Sequence, residues 1–338
     1  MKNLLRLLLC FIVCGNCIAQ TQEELHPILA AARAESYFAK QVNWQELNKQ
    51  FTARIGNGKD QDSLKTGLTF LLNSLKDKHG VFRRAKDYRP VAWFTAYDSL
   101  VDQDNRPRDP DFINRVINDL DARFSYKQLD GQTGYLRIVG IGPQQDLIQE
   151  GQNMRNAIAE LNASGVKHWV IDLRFNGGGN MNPMIAGMAP LLSEGHIGGS
   201  FNAEGAVFQN FEIKGGQFID TERLVDSTAT KIQLDHEPRI AVLLSRYTVS
   251  SGEIVATVFK GQDNTRFFGE DSGGMTTVTG FNPVTEDLYM CISAAIYADR
   301  LGNSYPINIP VDEAIKMDLD TLNSQDAILE AALKWLKK

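Results

Sequence analysis

From Thr133 onward the chain alternates short apolar runs with amphipathic ones, and this alternation restricts the available folds more than any other feature. Gly134-Tyr-Leu-Arg-Ile-Val-Gly140 has the length and branching of a strand. Leu147, Ile148, Met154, Ile158 and Leu161 then fall at helical spacing, with Gly165 past the end. Trp169-Val-Ile-Asp-Leu173 is a second strand, followed by Gly177-Gly-Gly179 and the apolar run Met184–Leu192. Arg239-Ile-Ala-Val-Leu-Leu244 is a third, and the helix expected over Glu253–Phe259 stops at Gly261 before Arg266-Phe-Phe-Gly269. Strand, helix, strand in this order needs right-handed crossovers and predicts an α/β protein with a mainly parallel core sheet. A polar, glycine-rich excursion fills 193–238, with short strands at Phe208–Ile213 and Lys231–Leu234. Near the end, Thr276–Gly280 and Leu288–Ala298 read as an antiparallel hairpin pair. Ser324 is expected to cap a closing helix whose apolar side carries Ile328, Leu329, Leu333, Trp335 and Leu336.

The first 132 residues are less regular. Lys2 and Arg6 precede or interrupt an apolar run, Leu4 to Val13, and the small residue Ala19 ends the stretch, so 1–19 reads as a secretory signal cleaved before Gln20. The run is short for a membrane span. Cys10, Cys14 and Cys17 follow Leu9, Val13 and Asn16, none a small residue, which argues against lipoprotein anchoring. A helical lead-in is expected over 20–78, built from Glu23–Leu25, Ile28–Ala39, Trp44–Phe51 and Ser63–Leu75 and stopping near Gly80. Residues 79–132 form a connecting region with a strand at Val91–Thr95, a polar loop at 102–110 and a helical patch at 112–124; the core occupies 133–338.

Loss of the leader leaves Cys291 alone, which excludes an intrachain disulfide and a cysteine-built zinc site. Loss of Lys2 and Arg6 takes the net charge from −6 to −8. With that balance and no basic stripe, nucleic acid is not the expected partner. No later segment is long and apolar enough to span a bilayer, so a periplasmic or secreted protein is expected. No feature specifies an oligomeric state.

Two turns invite chemistry because each follows a buried strand. In Tyr247-Thr-Val-Ser-Ser-Gly-Glu253 a serine stands at a strand-to-helix turn, where the N–H groups of the first helical turn could stabilise an oxyanion. The plainer reading makes Ser250 a helix cap and nothing more. Gly177-Gly-Gly179 lets a substrate approach the backbone and offers N–H donors. It matches neither the Walker pattern nor the dinucleotide fingerprint, and a bare tight turn is the competitor. Among the histidines, His26, His168 and His236 have polar neighbours that mark surface groups, and His196 lies in the excursion. His79 stands at a helix end before Gly80, where a side chain can project into a cleft. No histidine spacing suits a metal.

Four segments occur in order: Leu75-Lys-Asp-Lys-His-Gly-Val-Phe82, Val170-Ile-Asp-Leu-Arg-Phe-Asn-Gly-Gly-Gly179, Thr248-Val-Ser-Ser-Gly-Glu253 and Arg266-Phe-Phe-Gly-Glu-Asp-Ser-Gly-Gly274. Together, over about residues 63–315, they resemble the C-terminal processing (tail-specific) serine protease family. The similarity is to its secreted branch with a histidine base, which is similar to the tricorn core. The resemblance implies a crotonase/ClpP-like core, Ser250 as nucleophile, and oxyanion donors at Gly177 or Gly178 and at the Ser251 N–H. In the better-known branch a lysine follows the Gly-Glu motif; here that position is Met275, which cannot accept a proton. In the other branch a histidine in an Asp-x-His stretch is the base, and His79 matches it. The acid that orients His79 stays open among Glu253, Asp77 and Asp312, since Lys78 stands where tricorn has a serine. About fifty residues separate His79 from Thr133, too few for the PDZ domain that many relatives carry.

The expectation is therefore an exported serine endopeptidase acting on peptides or unfolded protein through an acyl-enzyme, without metal or organic cofactor. The alternative is a catalytically inactive member of the fold that binds a peptide or an apolar ligand, as retinoid-binding relatives do; Met275 and Lys78 favour it. A third reading, an acyl-transfer or thioester enzyme, has no cofactor signature behind it.

Overall fold

The structure, a computed structural model, describes residues 26–56, 60–96, 114–116, 118, 120, 122–225, 232, 234 and 236–338. The expected leader, the helical start at Glu23–Leu25, the polar loop at 102–110 and parts of 112–124 and 231–234 lie outside them.

Three helices open the described chain: α1 (Pro27–Glu35), α2 (Trp44–Ile55) and α3 (Gln61–Leu75). Asn43 and Asp60 cap the last two by accepting from Glu46 N and Ser63 N. Leu68, Leu71, Leu72 and Leu75 lie on one face of α3 and pack with Leu29 and Phe51 in a buried helical core. The helix stops earlier than Gly80, because Lys76 adopts the left-handed backbone of a C-cap at φ 57. Gly80 follows where no side chain fits: a Cβ there would lie 2.6 Å from Leu72 Cδ2. This tight reversal leads into β1 (Val81–Arg84) and β2 (Pro90–Trp93), with His79 inside it.

The remaining elements are β3 (Ser125–Gln128), β4 (Thr133–Arg137), α4 (Leu147–Ala163), β5 (His168–Asp172), α5 (Met181–Met188), β6 (Gly195–Asn202), β7 (Val207–Lys214), β8 (Gln217–Asp220) and β9 (Arg223–Leu224). There follow β10 (Arg239–Leu244), α6 (Ser251–Phe259), β11 (Thr265–Gly269), β12 (Thr277–Thr279), β13 (Asn282–Thr285), β14 (Leu288–Cys291), β15 (Ser293–Asp299), β16 (Glu313–Ala314) and α7 (Ala327–Leu336). The fold is mixed α/β. One sheet has the order β16-β11-β10-β5-β4-β3. Its neighbours from β16 to β4 pair in parallel, and β3 pairs antiparallel at the edge. Val170, Ile171, Val242 and Leu243 are fully buried, as strands covered on both faces must be. A second sheet, β12-β15-β6-β7-β8-β9, is antiparallel, and a third runs β13-β14-β1-β2.

Two expectations about the C-terminal part change. The run Leu288–Ala298 is not one strand but two, divided at Ile292. β14 pairs with β13 and β1, placing Leu288 and Met290 in the helical core, whereas β15 pairs with β12 and β6. One apolar run thus serves two sheets, a division that periodicity alone does not register. The closing helix is capped by Asp326, whose carboxylate accepts from Leu329 N, while Ser324 donates its hydroxyl to Thr321 O. Among the described residues no helix is long and apolar enough to cross a membrane.

Leu72 is fully buried beside the reversal that carries His79. Leu72→Ala is expected to destabilise the fold by about 2–5 kcal/mol in urea unfolding; a loss below about 1 kcal/mol would show that the helical core collapses into the space.

Candidate active site

Register brings the two turns together. β5 and β10 are adjacent parallel strands with Asp172 opposite Leu243, so the segments leaving their C-terminal ends are neighbours. Ser245 Oγ donates to Arg174 O at 2.5 Å, Thr248 Oγ1 to Leu173 O at 2.9 Å, and Val249 N to Asn176 O at 3.1 Å. Gly252 lets α6 approach the glycine turn: a Cβ there would sit 2.7 Å from Asn176 O. Beneath the turn, buried Arg174 bridges Asp172 and Asp326 at 2.8 Å each, tying it to the start of α7.

Ser250 has φ 54 and ψ −123, a backbone conformation rarely taken by residues with a side chain. Glu253 holds it there. Its fully buried carboxylate accepts from Ser250 N at 2.9 Å, Met275 N at 2.7 Å, Gly274 N at 2.8 Å and Ser272 Oγ at 2.5 Å. Glu253 therefore joins the serine turn to the 272–275 loop and does not reach the imidazole. Asp312 does not reach it either, since its carboxylate accepts from Phe267 N at 2.8 Å.

His79 Nε2 lies 3.0 Å from Ser250 Oγ, although 171 residues separate them in the chain. Its Nδ1 lies 3.0 Å from Thr277 Oγ1. Thr277 Oγ1 is 2.7 Å from Ser293 Oγ, which donates to Asp77 Oδ1 at 2.7 Å. Asp77 also accepts from Ser293 N at 2.8 Å and from His79 N at 3.2 Å. Of the three candidate acids, only Asp77 connects to the imidazole, and it does so through two hydroxyls. Burial pushes its carboxyl up, and its hydrogen-bond donors pull the other way. Thr277 and Ser293 did not stand out in the sequence: each is a single hydroxyl residue at a strand position, and only the pairing of β12 with β15 brings them together.

Among the expected oxyanion donors, Gly178 N already donates to Asn176 Oδ1 at 3.0 Å. Gly177 and Ser251 have backbone N–H groups with no protein acceptor among the described residues. Gly178 packs directly on the serine, where a Cβ would lie 2.9 Å from Ser250 Cβ. Ser251 Oγ donates to Gly179 O at 2.6 Å. Ser250 and His79 open on a cleft of about 690 Å³ walled by Val81, Phe175, Val249, Met275 and Phe281. Met275 is buried there as an apolar wall of the cleft. Among the described residues no group of three or more His, Cys, Asp and Glu side chains is arranged to hold a metal ion.

Burial raises the Glu253 carboxyl from 4.5 to about 7 even though four donors favour its ionised form. The folded chain therefore keeps this proton at pH values where the unfolded chain has lost it. The stability contributed by neutral Glu253 is full below about 4.5 and is lost as pH rises through about 7. Urea unfolding from pH 4.5 to 8 should show wild-type stability falling more steeply than that of Glu253→Gln; parallel profiles would contradict the assignment.

Residues 132–317 match the sequence profile of peptidase family S41. The chain is 30% identical over 188 residues to a nisin-resistance protein of Lactococcus lactis subsp. lactis, covering 54% of this chain and 53% of that one. It is 22% identical over 216 residues to a carboxy-terminal-processing protease of Bartonella bacilliformis, covering 64% of this chain and 45% of that protein. The chain thus spans about half the length of the curated relatives it matches. The structure of a lipoprotein from Streptococcus agalactiae shares the fold with a TM-score of 0.66 at 20% identity, over 92% of this chain and 93% of that one. With more than half of its length inside the family profile, and with the resemblance to the C-terminal processing proteases thereby borne out, this chain belongs to peptidase family S41.

Proposed function

We propose that the protein is a serine endopeptidase that cleaves peptide bonds through an acyl-enzyme, with Ser250 as nucleophile and His79 as general base. The observation that carries this reading is the 3.0 Å contact between His79 Nε2 and Ser250 Oγ at the floor of an open cleft. Family membership supports it.

The hydrogen positions follow from the donors and acceptors present. When Nε2 accepts the Ser250 proton, Nδ1 carries the other hydrogen and donates to Thr277 Oγ1. The Thr277 hydroxyl then donates to Ser293 Oγ, and the Ser293 hydroxyl to Asp77. Every hydrogen in the relay has one destination, so the imidazole is held in the tautomer a base requires. Ser250 Oγ attacks the substrate carbonyl as its proton passes to Nε2. The N–H groups of Gly177 and Ser251 hold the oxyanion, and His79 returns the proton to the departing amine. Water, deprotonated by the same nitrogen, hydrolyses the acyl-enzyme. Asp77 stabilises the imidazolium through the two hydroxyls, a longer path than a direct carboxylate contact.

We propose with it the division into helical lead-in, connecting region without a PDZ domain and crotonase/ClpP-like core, and export directed by residues 1–19. Incubation with unfolded casein should release peptides detectable by mass spectrometry, and none with Ser250→Ala. Thr277→Val should lower kcat/KM by about 10- to 100-fold, with most of it regained in Thr277→Ser. Equal peptide release by wild type and Ser250→Ala would refute the reading. Absence of hydrolysis in a folded wild type would favour a binding member of the fold, for which the apolar cleft wall at Met275 is suited.

A further inference from the structure

Resting on the peptidase reading, which it deepens, we infer that Arg83 is a specificity residue: it takes a carboxylate of the substrate a few residues from the scissile bond. Val81 and Arg83 alternate with Phe82 along β1. Phe82 enters the helical core, while Val81 and Arg83 line the cleft that holds Ser250 and His79. Arg83 lies two residues beyond Val81 on the same side of β1, about 7 Å further along the cleft wall. A substrate strand lying in the cleft would thus present a side chain or chain end to Arg83 while its carbonyl faces Ser250.

The guanidinium is held in place, and among the described residues no carboxylate pairs with it. Its Nη1 donates to Tyr88 O at 2.9 Å. Its neighbours Arg84 and Arg89 pair with Asp87, whereas Arg83 has no carboxylate partner among the described residues. No acid lines the cleft among the described residues. Cys291, beside Arg83, offers no counter-charge near neutral pH, because burial pushes its thiol up to about 11. A half-buried guanidinium with N–H donors to spare, walled largely by apolar groups, suits a carboxylate, which can accept two parallel hydrogen bonds. The carboxylate can come from an Asp or Glu side chain or from the peptide's own C-terminus; the chemistry is the same.

Binding is measured on Ser250→Ala protein by fluorescence anisotropy, so that turnover is not needed. The probes are fluorescein-labelled octapeptides of apolar residues carrying one Glu, or Gln in its place, at each position, with free or amidated C-termini. Carboxylate-bearing peptides are expected to bind about 10- to 100-fold more tightly than neutral counterparts, and Arg83→Gln to erase that difference. Arg83→Glu should reverse the preference toward Lys-bearing peptides. Loss on amidation identifies the terminus as the source, and loss on Glu-to-Gln exchange a side chain. Arg83→Gln weakening acidic and neutral peptides alike would reduce Arg83 to a support for the Tyr88 turn and overturn the inference. So would an absence of carboxylate-dependent binding. Carboxylate-dependent binding without casein hydrolysis would retain the subsite and refute the peptidase reading.

Discussion

The hydrogen bond between His79 and Ser250 forms only when three separately built pieces meet. The first is the reversal after α3, where the left-handed Lys76 and the Cβ-free Gly80 let the chain turn sharply enough to present His79. The second is the serine turn after β10, with Ser250 in a strained conformation. The third is the β12–β15 pair, which brings Thr277 and Ser293 behind the imidazole. Both core clusters must be complete for the three to coincide, because β14 packs with the helical core while the next strand, β15, borders the main one.

Two buried carboxylates fix this meeting. Glu253 accepts four hydrogen bonds and holds the serine side; Asp77 accepts three and holds the histidine side. A buried carboxyl group is costly unless it is hydrogen-bonded, and both are surrounded by backbone N–H and hydroxyl donors, although burial still raises both above the usual carboxylate range. Neither touches the imidazole ring. In place of the single carboxylate of a triad, two hydroxyls fill the space between Nδ1 and Asp77, so orientation is assigned to groups with one available proton arrangement and charge is kept at a distance.

The serine turn, the glycine turn and the histidine are legible in the sequence because each has a local signature: a buried strand followed by small residues, or a helix end followed by glycine. It could not select among Glu253, Asp77 and Asp312, because an acid's partner is decided by which strands lie next to it. Thr277 and Ser293 were invisible for the same reason, each being an ordinary residue for a strand. The break at Ile292 has no sequence signal because both halves of the run are apolar. Asp326 does not declare itself as the cap because Ser324, two residues earlier, is an equally good capping type. Gly178 qualified as an N–H donor by position, but the Asn176 side chain two residues before it takes that hydrogen.

The central claim is that His79 activates Ser250, and reaction with a fluorophosphonate probe tests it most directly. The wild-type protein should label, with the adduct mapping to Ser250 in tryptic peptides, while folded Ser250→Ala and His79→Ala should not label. Labelling retained in His79→Ala would mean that another group takes the proton. No labelling of a folded wild type would mean that the 3.0 Å contact does not activate the serine.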